Sequence, residues 1–234
     1  MALTKGTIVR SQKIVVIACA CLQRIKTPIA HLQSLPLPIL LFKVQSLGYV
    51  DARLLVESKP DRDDTAAYAR WLVSQNSWGI LTTLSIELEG SPFGNVVSFS
   101  DGVPGKGTGV PYFYLTTLDP TARNALKDHR SSLAISEYPL GTCSNADPES
   151  PVCAKITLTG RLVLLEANSK EAEFARTALF TKHPEMKGWP KGHDFQVFKL
   201  EIEDIFMINW FGGPKPLTVD QYLKYKMNIF AIDK

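Results

Sequence analysis

From Asp61 onward the spacing of apolar positions changes period several times, and each change marks an element. Ala67, Tyr68, Trp71 and Leu72 recur at helical spacing, with Asp63 or Asp64 placed to cap the helix. Trp78–Ile86 then reads as a strand, and Glu87, Glu89, Gly90 and Pro92 supply a turn. Phe93–Ser100 alternates small or polar groups with apolar ones, as a half-buried strand does. A glycine-rich loop, Asp101–Gly109, leads into the aromatic strand Val110–Thr117. Asp119 and Pro120 start the next helix: the acid caps, and proline takes the first helical position, where a missing N–H costs nothing.

The second half continues in the same way. Ser131–Glu137 alternates, a polar loop runs from Pro139 to Pro151, and Ala154–Leu165 alternates again. Asn168 with Glu171 reads as a capping box for a helix to about Lys182, whose Ala172, Ala175, Ala178 and Leu179 form one apolar face beside Phe174 and Phe180. Phe195–Leu200 and Ile205–Trp210 read as two strands, and Thr218 with Gln221 caps a last short helix to about Lys226. The strands come in runs, not in strict alternation with helices, which excludes a doubly wound parallel sheet. The expected fold class is mainly β with helices (α+β): an antiparallel closed or split barrel carrying three or four packed helices.

Residues 1–60 do not share this texture. Lys5, Arg10 and Lys13 precede the apolar run Ile14–Leu22, which ends in small residues. That order resembles a secretory signal, the alternative being an organelle-targeting or unstructured leader. The run is too short to span a bilayer, which takes about 20 apolar residues, so no membrane span is expected. Pro36 and Pro38 break a second apolar run, Leu35–Val44, which reads as linker or packed arm. The expected organisation is a leader and linker over 1–60 and one folded domain over 61–230.

Charge and composition remove several functions. The net charge of +3 is spread along the chain with no basic stripe, which argues against nucleic acid as a ligand. The four histidines stand far apart without metal-binding spacing, so no metal site is expected. No nucleophile–base pair is visible by spacing. The Gly102–Gly109 loop is weak evidence for a phosphate cradle and reads first as a hairpin connection.

Five blocks in order carry a more specific signal. They are Trp78-Gly79-Ile80-Leu81-Thr82-Thr83, Ser98-Phe99-Ser100-Asp101-Gly102, Gly109-Val110-Pro111-Tyr112-Phe113-Tyr114-Leu115, His183-Pro184-Glu185-Met186 with Trp189-Pro190, and Trp210-Phe211-Gly212-Gly213-Pro214-Lys215. The chain resembles the CREG family (cellular repressor of adenoviral-oncoprotein-stimulated genes) over roughly Asp61–Lys226. The resemblance implies the FMN-binding split barrel shared with pyridoxamine 5′-phosphate oxidases, a homodimer, and a place in the secretory or vacuolar–lysosomal system. It also implies a protein without a usable flavin or oxidase activity, acting through a protein partner or receptor. The family's name adds growth or differentiation control by analogy. Family cysteines match Cys143 and Cys153, which implies a disulfide if the chain enters an oxidising compartment. The chain departs from glycosylated animal members, because no asparagine stands in an Asn-x-Ser/Thr acceptor.

The oxidase relatives also imply where FMN would sit. A phosphate dianion needs converging cations, hydroxyls and N–H groups, often at a helix start. The matching positions here are Ser98 on the first strand, Thr116 and Thr117 at the end of the next, and Arg123, Asn124 and Lys127 on the helix. The strand Asn95–Ser100 carries no Arg or Lys, and Thr121 stands where haem-utilisation relatives carry a histidine. The expected reading is a non-catalytic partner-binding protein with no cofactor; the alternative is an FMN-dependent oxidoreductase.

Overall fold

A computed structural model describes residues 58–226. The leader and linker of the sequence reading, as far as residue 57, and the last residues of the 61–230 domain lie outside the described residues. Six strands form one sheet: β1 (Trp78–Leu84), β2 (Pro92–Ser98), β3 (Tyr112–Leu115), β4 (Arg130–Ser136), β5 (Lys155–Leu164) and β6 (Gln196–Ile208). Their order is β2-β1-β4-β5-β6-β3, and every neighbouring pair is antiparallel. Four helices accompany them: α1 (Thr65–Gln75), α2 (Pro120–Lys127), α3 (Lys170–Lys182) and α4 (Val219–Lys224).

The sheet curls until its two edges meet. Ser100, two residues past β2, pairs with Tyr112 at the start of β3: each N–H donates to the other's carbonyl, at 3.1 and 2.8 Å. This is the split barrel expected from the sequence. The alternation in β1, β4 and β5 sends Leu81, Leu133, Ile156, Leu158 and Leu162 inward, all nearly or fully buried. Phe99, Phe113, Phe198 and Leu200 complete the interior, and α1 lays Tyr68, Trp71 and Leu72 into the same core. Each such side chain contributes roughly 1.5–3 kcal/mol by leaving water. The opposite side of β3 and β6, at Tyr112 and Val197, packs against Ala172, Ala175 and Leu179 of α3. Phe174 meets Tyr112 edge-on, as Phe180 meets Tyr114.

Two expectations need correction. The stretches Phe195–Leu200 and Ile205–Trp210 are not separate strands but parts of β6. The polar interval between them stays in the ladder through a bulge: β5 pairs Thr159 with Asp204 but Gly160 with Ile202, leaving Glu203 extra. Gly160 makes this possible, because a Cβ there would sit 1.9 Å from the Glu201 carbonyl. The cap of α3 is Ser169, not Asn168; the Ser169 hydroxyl accepts from the Ala172 N–H at 3.1 Å. Glu171 instead bonds Lys199 and the Tyr112 hydroxyl. The caps Asp64, Asp119 and the Thr218–Gln221 box stand as expected.

Cys143 and Cys153 form a disulfide with Cα atoms 5.0 Å apart. Closing a loop of this length contributes roughly 2–3 kcal/mol in the chain-entropy view. Beside it, Glu137 is fully buried and ties four segments together. Its carboxylate accepts from the Tyr68 hydroxyl at 2.7 Å, the Thr142 hydroxyl at 2.6 Å and the Ala154 N–H at 3.1 Å, and pairs with the Lys59 ammonium. Burial works to raise the Glu137 pKa, but the donors, Lys59 first, outweigh it and hold the group below the usual carboxylate range. A depressed carboxyl stabilises the fold above its unfolded pKa and loses that contribution as pH falls. Glu137→Gln is therefore expected to cost on the order of 2 kcal/mol at neutral pH, where charge-assisted bonds are lost. The gap between variant and wild type narrows as pH drops below about 4, as read by denaturant unfolding across pH.

Candidate functional site

The cleft of about 480 Å³ lies between Asn95–Ser98 of β2, Tyr114–Thr116 at the end of β3, and the connector after α3. Asp119, the cap of α2, lines it too, and Asp119 is the only ionisable acid or base of ordinary pH among its lining residues. One wall is aromatic. Tyr114 stacks on Phe195 with centroids 5.0 Å apart, and Trp189 lies 4.8 Å from Phe195. Met186, buried under α3, and Pro190 extend this wall. The aromatic β3 and the 3-10 turn Pro184–Gly188 place these rings together.

The polar floor is built on α2. The Asp119 carboxylate accepts from the Thr121 N–H at 2.7 Å, as an N-cap does. Asn95 Nδ2 donates to both Asp119 carboxylate oxygens, at 3.0 and 3.2 Å, and to Thr121 Oγ1 at 2.9 Å. A helix start attracts negative charge through its free N–H groups and dipole. Here the chain's own carboxylate supplies that charge.

The six residues matched to the oxidase pattern do not converge. Ser98 and Thr116 line the cleft. Thr116 Oγ1 is committed, donating to the His193 carbonyl and accepting from the Leu118 N–H. Thr117 is exposed outside the cleft, and its carbonyl accepts from Arg123 Nη1 at 3.1 Å. Arg123 also binds the Leu118 carbonyl and pairs with Glu87 at 2.8 Å, so it straps the β1–β2 turn to α2. Asn124 is buried; it donates to Thr83 Oγ1 at 3.1 Å and accepts from the Ile86 N–H at 3.1 Å. Lys127 is exposed in the last turn of α2, about 10 Å along the axis from its start. The donor set thus does not fit a flavin phosphate: both helix cations are elsewhere, and a carboxylate occupies the helix start. Thr121, where haem-utilisation relatives carry a histidine, is a buried hydroxyl that accepts from Asn95. Sequence reasoning missed the Asn95–Asp119 clamp and the aromatic wall. Tyr114, Met186, Trp189 and Pro190 stood in the matched blocks as its signal.

A curled antiparallel sheet with a cleft against a helix start defines the split-barrel class. A heme binding protein from Mycobacterium smegmatis superposes with a TM-score of 0.56 at 24% identity, covering 68% of this chain and 59% of that one. Atu2129 of Agrobacterium tumefaciens does so at 0.53 and 20%, covering 70% and 60%. Within this class the family model "CREG, beta-barrel" matches residues 60–224, and the chain belongs to the CREG family. Human Protein CREG1 is 39% identical over 167 residues, 70% of this chain and 75% of its own. Mouse Protein CREG2 is 37% identical over 172 residues, 72% and 59%. The chloroplastic non-canonical heme oxygenase HOZ of Arabidopsis thaliana is 28% identical over 179 residues, 75% and 51%.

Proposed function

We propose that this protein is a non-catalytic, dimeric split barrel that acts by binding protein partners in the secretory or vacuolar–lysosomal system. The observation that carries the non-catalytic reading is the Asp119 carboxylate on the α2 N-terminus, clamped by Asn95. A flavin phosphate brought there would meet a like charge in place of a cation. In flavoenzymes the cofactor does the hard chemistry, and the cleft's own residues offer no nucleophile activated by a base. The Cys143–Cys153 disulfide supports an oxidising compartment.

The dimer reading rests on the outer face of the sheet. Val96, Ile80, Ala134, Thr157 and Phe206 stand in register across five strands. The row holds no charge, and Val96, Ile80 and Phe206 are 62%, 38% and 42% exposed. Trp78, two residues along β1 from Ile80 and on the same face, adds to it. A contiguous apolar patch of this kind marks an interface, and a twofold dimer covers the same patch on both copies. Val96 also lines the cleft, so a second copy seated here would close over it.

Two measurements check these parts. Full-length protein mixed with excess FMN and desalted is expected to be colourless, with no visible flavin absorbance. Stoichiometric retained flavin would refute the non-catalytic reading in favour of the oxidoreductase. Ile80→Arg is expected to convert a dimer to a folded monomer in light scattering, with circular dichroism unchanged. An unaltered mass would remove this face from the interface.

A further inference from the structure

A second cavity, of about 390 Å³, lies where the glycine-rich loop between β2 and β3 meets α1 and the end of α4. It shares no lining residue with the cleft. Three of its eight lining residues are cations, Arg70, Lys106 and Lys226, and none is an acid.

Arg70 is the member that needs an explanation. It sits in the middle of α1 and is 2% exposed. Its guanidinium donates to three backbone carbonyls: Tyr222 at 3.3 Å, Tyr225 at 2.8 Å and Gly107 at 2.6 Å. Carbonyls solvate a charge without neutralising it, and three bonds leave two of the five guanidinium hydrogens over. Nε is buried with no partner among the described residues. No carboxylate among the described residues lies within ion-pair distance of Arg70. Asp101 is the acid whose charge reaches it, and Asp101 also interacts with half-buried Lys182. Burial raises the Asp101 pKa, with Lys182 and then Arg70 opposing. Buried Arg70 and half-buried Lys182 thus share one carboxylate, and a buried charge without a full counterion is costly.

The loop supplies the remaining donors. Lys106 N–H donates to the Val103 carbonyl and Thr108 N–H to the Asp101 carbonyl. The N–H groups of Gly105 and Gly107 donate to no protein oxygen among the described residues. Gly109, at φ +83°, lets the loop lie directly on the guanidinium, because a Cβ there would meet Arg70 Nε at 2.7 Å. Cations and free backbone N–H groups around a cavity of this size suit a tetrahedral dianion.

We propose that this cavity is a binding site for a phosphate group, free or as the monoester of a small molecule. It is independent of the partner-binding reading. Lys106 and Lys226 meet the anion from solvent, and Arg70 supplies the fixed charge beneath. Both lysines are exposed, so Lys106→Gln with Lys226→Gln leaves the fold intact. Full-length wild type and double variant are titrated calorimetrically at low salt with inorganic phosphate and with glycerol phosphate. Wild type is expected to bind one equivalent saturably, and the double variant at least tenfold more weakly. Tighter binding of glycerol phosphate assigns the site to an ester, and equal affinity assigns it to free phosphate. Absence of saturable binding, or equal affinity in the two proteins, overturns the proposal. Binding that emerges only on deletion of residues 227–234 also overturns it, by giving the cavity to the chain itself.

Discussion

The pairing of Ser100 with Tyr112 is the contact on which the rest of the molecule depends. Two backbone hydrogen bonds join the edges of a six-stranded sheet and turn it into a barrel. The neighbours of the pair are held from within: Phe99 and Phe113 are buried 6.4 Å apart, the Phe99 N–H donates to Ser77, and the Phe99 carbonyl meets His183 Nε2. To one side, β2 and β3 part and leave the cleft. To the other lies the glycine-rich hairpin with its cationic cavity. Both candidate sites are therefore consequences of where the barrel closes, and neither is built on a loop that floats free of the core.

What the cleft does follows from which charge sits at the start of α2. Helix starts attract anions, and split barrels can turn that to cofactor binding. In this chain the Asp119 carboxylate takes the Thr121 N–H, and Asn95 locks the carboxylate from β2. The same geometry that could hold a phosphate is thereby made self-sufficient. The aromatic wall of Tyr114, Trp189 and Phe195 remains beside it, and in the function proposed above it is what a partner would meet.

Much of the fold was legible because burial leaves a period in the sequence. β1, β4 and β5 bury one face against the barrel interior and alternate accordingly. β6 hid its continuity because the bulge opposite Gly160 shifts the alternation amid Glu201, Glu203 and Asp204. The α3 cap was missed by one residue, since Asn168 and Ser169 carry equally suitable side chains and only geometry decides between them. The site was less legible. Arg123 and Lys127 carry the right charge for a phosphate, but their direction depends on Glu87, which precedes β2, and on the length of α2. The clamp between Asn95 and Asp119 spans 24 residues, and no local spacing announces it. Arg70 looks like an ordinary helix charge until α1 is seen to be buried on nearly every side.

With Asp119 filling the start of α2, the cleft is expected to refuse a phosphate. Comparing FMN with riboflavin, which lacks the phosphate, tests this in wild type and in Asp119→Asn, which keeps an N-cap but removes the charge. Equilibrium titration by flavin fluorescence is expected to show FMN bound no more tightly than riboflavin by wild type, and the balance moving toward FMN in the variant. Wild-type protein that binds FMN at least tenfold more tightly than riboflavin would show that Asp119 does not exclude the phosphate.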